Sequence, residues 1–86
     1  MSHAQPWTVL QNAITEIFPH LTPQELQGDA SLKELGANSI DRAEIIMITL
    51  SQLQLKIPMM NFANAKNIRD ILSILEREYQ LVHANS

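Results

Sequence analysis

Leu35-Gly36-Ala37-Asn38-Ser39-Ile40-Asp41-Arg42-Ala43-Glu44-Ile45 decides how this chain folds, because a loop ends and a helix begins inside it. Gly36 suits the left-handed residue that closes a turn. Asn38 is a good N-cap, and Asp41, three residues on, puts an acid in the first turn where the helix dipole favours one. The pattern predicts a helix from Asn38 or Ser39 to Leu53–Leu55, ahead of Ile57-Pro58. On a wheel of about 100° per residue, Ile45, Ile46, Thr49 and Leu53 share one arc, a core stripe. Ile40, Glu44, Met47 and Ser51 lie opposite, flanked by Asp41 and Ile48. Half of that outward face is apolar. In so short a chain one long helix cannot be covered all round, so this face is a candidate docking surface.

Working outward, Val9, Leu10, Ala13, Ile14, Ile17 and Leu21 recur at helical spacing, predicting a first helix over Pro6–Phe18 that Pro19 closes. The loop from Pro19 to Asn38 is long for this chain, and such loops carry function or short structure of their own. Thr22–Glu25 and Ser31–Glu34 each match a capping box, predicting one or two single-turn helices pinned by Leu26, Leu32 and Leu35. Met59–Ala65 reads as a short irregular helical turn. Asn67 then caps a last helix with Asp70 at its third position and Ile68, Ile71, Leu72, Leu75 and Tyr79 on one face. The tail Leu81–Ser86 is expected to fray. No alternation at period two and no repeat occurs. The expectation is an all-α bundle, three principal helices plus a short third one, in a single domain over 1–86 with structure from about 6 to 80.

Composition narrows the function. The chain has 86 residues, 45% hydrophobic and 17% charged, which is globular. Zero cysteines exclude disulfides, iron–sulfur clusters and thiolate zinc sites. A net charge of −3 without any basic run leaves no nucleic-acid footprint. The longest apolar stretch, Ala43–Leu50, is too short to span a membrane, and the N-terminus lacks a signal-peptide layout. The expectation is a cytoplasmic, monomeric protein, too small for a conventional enzyme cleft.

Ser39 is the residue to explain. Starting a helix is the commonest task of Asn38 and Ser39. As a nucleophile Ser39 would need a base and an oxyanion hole, and its flanks lack the glycines of a nucleophile elbow. His3, His20 and His83 do not have metal-ligand spacing. Ser39 is better placed to be modified by another enzyme, since a helix N-terminus tolerates an attached phosphate. Asp41 and Glu44 read as a solvated, partner-facing pair rather than catalytic carboxylates. Arg42 either pairs with Glu44 or a loop acid, or recognises a partner. Met47, Met59, Met60 and Phe62 read as core filler, but with Met47 facing outward not all of them can be buried, so Met47 is expected at a contact surface. The segment Met59–Phe62 is expected to be exposed and to affect partner choice, with Met60 as its test, and Trp7 to anchor packing.

The Leu35–Ile45 stretch resembles the phosphopantetheine attachment region of acyl carrier proteins, whose pattern reads Gly, a variable residue, Asp, Ser, Leu, often with an acid two residues after the Ser. The resemblance spans essentially the whole chain, including the long loop and the Ile57-Pro58 turn. It implies 4′-phosphopantetheine on Ser39, acyl groups carried as thioesters, and no catalysis by the chain itself. Departures are visible. Asn38 stands where Asp is usual, the acidic run after Glu44 is replaced by Thr49-Leu50-Ser51-Gln52, and Pro58–Phe62 is apolar. Arg42–Met47, Ile57-Pro58 and Ala65-Lys66-Asn67-Ile68 resemble more narrowly the free-standing donor carriers of polyketide β-branching cassettes. That resemblance implies a phosphopantetheinyl transferase, an acyltransferase, a ketosynthase-like decarboxylase turning malonyl into acetyl, and an HMG-synthase-like acceptor as partners. It implies partner contacts at Ile40, Asp41, Arg42, Glu44, Met47 and Met60. The alternatives are a general polyketide or fatty-acid carrier, or an unmodified helical interaction module.

Overall fold

A computed structural model describes residues 6–27 and 29–84. Among them are three α-helices, α1 (Pro6–Ile17), α2 (Ser39–Leu53) and α3 (Ile68–Ala84), and two 3₁₀ turns, Pro23–Glu25 and Met59–Phe62. The expected short third helix is thus the four-residue 3₁₀ turn Met59–Phe62. No helix of the described residues is long and apolar enough to cross a membrane.

The core follows the apolar stripes. Leu10 and Ile14 of α1, Ile45 of α2, and Ile68 and Leu75 of α3 are fully buried. Thr49 is buried too, because its hydroxyl donates to the Ile45 carbonyl oxygen at 2.8 Å and leaves no polar group unpaired. Leu50, outside the expected stripe, is also buried, so the stripe is wider than the wheel indicated.

The long loop is built rather than loose. Leu21, Leu26, Leu32 and Ala37 bury their side chains under it. In the first predicted capping box, Thr22 donates both its N–H (2.9 Å) and its hydroxyl (3.1 Å) to Glu25. Those bonds hold the Glu25 carboxyl below its usual pKa, with a smaller contribution from His20. The second box forms no helix. Its turn closes at Gly36, whose φ is +108°, with Ala37 N–H donating to Leu32 O (2.8 Å) and Gly36 N–H to Lys33 O (3.1 Å). This is a Schellman closure on the expected glycine. The loop is then tied to α3 by Ile68 N–H donating to Ala30 O at 2.8 Å. The Arg69–Asp29 ion pair (2.9 Å) lies in solvent, where such pairs contribute about 0–1 kcal/mol.

Three expectations are corrected. Within the tail Leu81–Ser86, α3 continues through Leu81 to Ala84, with no glycine or proline to interrupt it, while Asn85 and Ser86 lie outside the described residues. Phe62 is core, 6% exposed, whereas Met60 in the same turn is 80% exposed. The segment Met59–Phe62 is therefore not one exposed surface. α1 ends one residue early, at Ile17.

Candidate functional site

Ser39 is the first residue of α2 and its side chain is exposed. Its neighbours do the capping. Asp41 N–H donates to Asn38 Oδ1 at 2.8 Å, and Asn38 N–H returns the bond to Asp41 Oδ2 at 3.3 Å. With this reciprocal box complete, the Ser39 hydroxyl is not committed to holding the helix. Asn38 thus keeps the capping role expected of it without the carboxylate's charge.

Two different flanks leave Ser39. On one side Ser39, Arg42, Ala43 and Ile46 of α2, Met59, Phe62, Ala63 and Ala65, and Ile71 of α3 line a cleft of about 170 Å³. Ser39 and Arg42 are the polar residues of its lining, and the rest are apolar. Arg42 also borders an adjoining hollow with Ser31, Lys33, Glu34 and Lys66. Arg42 is half-buried and its Nε is buried without a hydrogen-bond partner. The local ion pair with Glu44 or a loop acid does not form; among the described residues the ion pair is Arg69–Asp29.

On the other side a shallow groove runs along Ile40, Ala43, Glu44, Met47, Ile48, Ser51 and Gln52. Ile40 is 75% and Met47 60% exposed. Glu44 is the one charged residue of this lining. The structure brings together Ile40, Glu44 and Met47 as the wheel predicted. It does not bring Met60 to them, because Met60 borders a separate hollow with Asn61, Asn64, Ile74, Arg77, Glu78 and Leu81. Arg42 turns to the cleft and Asp41 is occupied in the cap. Sequence alone marks Met59–Phe62 as an exposed segment and does not foresee that Met59, Phe62, Ala63 and Ala65 wall a cleft. An aromatic residue after a proline-started apolar run was the available signal. Among the described residues, no group of three or more His, Cys, Asp or Glu could hold a metal ion.

The sequence profile of the phosphopantetheine attachment site family matches residues 9–75. A relative from Bacillus subtilis (strain 168), the polyketide biosynthesis acyl-carrier-protein AcpK, is 38% identical over 80 residues, covering 93% of this chain and 98% of the relative. The chain belongs to the acyl carrier proteins. The fold agrees. A chain in the crystal structure of the curacin biosynthetic pathway HMG synthase in complex with acetyl donor-ACP superimposes with a TM-score of 0.74. It is 39% identical, and the match covers 87% of this chain and 96% of that one.

This acyl carrier protein is a non-catalytic carrier with a covalent phosphopantetheine group. The residues present fit such a group. An exposed hydroxyl released from capping offers an attachment atom, a narrow apolar cleft opens beside it, and an orphaned buried Arg42 Nε borders that cleft. When bound, the group supplies a terminal thiol on which acyl units ride as thioesters.

Proposed function

We propose that Ser39 is the attachment residue, and that this carrier donates acetyl, formed from malonyl, to an HMG-synthase-like enzyme in polyketide β-branching. The observation carrying the attachment is the uncommitted, exposed Ser39 hydroxyl at the head of α2, with the Asn38–Asp41 box holding the helix in its place. The donor role is supported by similarity along most of the chain to a protein solved with an HMG synthase and to an acyl carrier of polyketide biosynthesis. The α2 groove supports it as well. Exposed Ile40 and Met47 offer apolar contact, with Glu44 as its single charge.

The chain's own residues do three things in this role. Asn38 and Asp41 fix the helix start, so a transferase meets Ser39 in a set orientation. Once loaded, the Ser39 oxygen is held in the phosphodiester, so it is no longer a nucleophile that could attack the thioester on the arm. The α2 groove presents a contact that suits shape more than charge. A phosphopantetheinyl transferase would load the arm; an acyltransferase and a ketosynthase-like decarboxylase would supply and trim the acyl group. The reading further includes a single monomeric carrier domain acting in the cytoplasm.

The test is intact mass and peptide mapping after incubation with coenzyme A and a phosphopantetheinyl transferase. One phosphopantetheine on the peptide containing Ser39, absent from Ser39→Ala, is the expected result. Acetyl transfer from the loaded protein to an HMG synthase, measured beside a fatty-acid carrier, then separates a dedicated donor from a general carrier. Equal transfer from both would remove the dedicated role.

A further inference from the structure

Arg42 holds a donor with nothing to donate to. Its Nε is buried and unpartnered, although Glu34 borders the same hollow and Asp41 and Glu44 stand nearby in sequence. An unpaired buried N–H is costly, more so on a charged group, so such a group in a native fold calls for a partner. Arg42 lies three residues after Ser39 on α2, the spacing that puts two side chains on adjacent positions of one helix face. The two residues line the same cleft. On its far side Arg42 shares a hollow with Lys33 and Lys66 against the single acid Glu34. Around the head of α2 these cations stand beside acids, Asp41 in the cap and Asp70, whose carboxylate accepts from Lys66 N–H at 3.0 Å.

We propose that the Arg42 side chain, through its Nε–H, pairs with the phosphodiester that joins the arm to Ser39, and so positions the base of the arm toward the cleft between α2 and the Met59–Phe62 turn. The inference rests on Ser39 being the attachment residue. It gives Arg42 a role within this chain, distinct from the partner contact expected of it. A guanidinium meets a phosphate oxygen with a short, directed, charge-assisted bond, which a lysine ammonium on a longer, flexible stem does not reproduce at the Nε position. Arg42 acts here as a positioning residue.

Nitrogen-15 spectra of the Arg42 Nε–H in the unloaded and loaded protein provide the test, after peptide mapping of the arm. Loading at Ser39 should shift that resonance, in line with a hydrogen bond to a charged group. The phosphorus-31 resonance of the loaded protein should move toward its urea-unfolded position in both Arg42→Gln and Arg42→Lys. Retention of the wild-type phosphorus shift in Arg42→Lys would mean that charge alone matters, and would overturn the directed bond. If either variant fails to fold, the wild-type pair of spectra decides alone. An arm on Ser39 with the Arg42 signal unmoved would overturn this inference and leave the attachment reading standing. An arm found on another residue would overturn both.

Discussion

The two flanks of α2 share one helix and one serine, yet they are built on opposite principles. Toward the Met59–Phe62 turn, α2 is covered: Ile46 is buried, Phe62 closes the wall, and a narrow cleft remains. Toward solvent, Ile40 and Met47 stand exposed along a shallow groove that no element of the described residues covers. Folding gives no reason to leave large apolar side chains grouped in water, since exposed patches of that kind mark interaction sites. The difference separates two tasks. The covered flank fixes where Ser39 sits, and the bare flank is free to be matched to another protein.

The largest effect should come from confusing the two kinds of residue within a single turn. Phe62→Ala should destabilise the fold by about 3–5 kcal/mol, the usual result of emptying a buried aromatic site. Met60→Asp, two residues earlier, should stay within about 0.5 kcal/mol, because a charge there remains in water. Urea unfolding of both variants checks this. A costly Met60→Asp would mean that the turn packs more deeply than its exposure indicates.

A smaller effect is expected on the bare flank, and on binding rather than folding. Met47→Ala should weaken binding to the proposed HMG-synthase-like partner by about 1–2 kcal/mol, roughly a five- to thirtyfold rise in Kd, while the unfolding midpoint stays put. Glu44→Gln should chiefly slow association, since rim charges act on the encounter more than on the lifetime of a complex. Calorimetry and stopped-flow mixing at two salt concentrations separate the two. Binding that collapses with salt and ignores Met47→Ala would erase the contrast between the flanks, leaving ordinary electrostatic carrier recognition.

The bare flank was legible in the sequence and the covered one largely was not. Helical spacing alone places Ile40, Glu44 and Met47 on one side, because a helix imposes its period on whatever sequence it holds. Asn38, Asp41 and Gly36 were legible for a similar reason: their roles depend on backbone groups within five residues. The cleft depends on how the Met59–Phe62 turn docks across some twenty residues of chain, and no local rule states which of Met59, Met60 and Phe62 turns inward. The Arg42 orphan is of that kind as well. Its lack of a partner is a property of three segments meeting, which no spacing encodes.

The smallest effect concerns the helix that both flanks share. The chain uses the same Schellman closure twice, once before α2 and once after it. At Gly36 the positive φ falls on glycine. At the end of α2 it falls on Gln54, with φ of +56°, where Leu55 N–H donates to Leu50 O (3.0 Å) and Gln54 N–H to Ser51 O (3.2 Å). A residue with a Cβ in that conformation carries roughly 1–2 kcal/mol of strain that glycine does not. Gln54→Gly should therefore stabilise the protein by about 0.5–1 kcal/mol, after part of the gain is lost to the greater freedom of glycine in the unfolded chain. Gly36→Ala should do the reverse, costing about 1–2 kcal/mol from backbone strain alone, because an added Cβ there meets no atom within 4 Å. Gln54 is exposed and lies outside both the cleft and the groove, so Gln54→Gly should change neither the loading of Ser39 nor binding on the bare flank. Opposite shifts of the two urea midpoints at constant slope are the expected result. Equal shifts of one sign would mean that the two closures are not equivalent, and that the end of α2 is held by its packing rather than by its last backbone bonds.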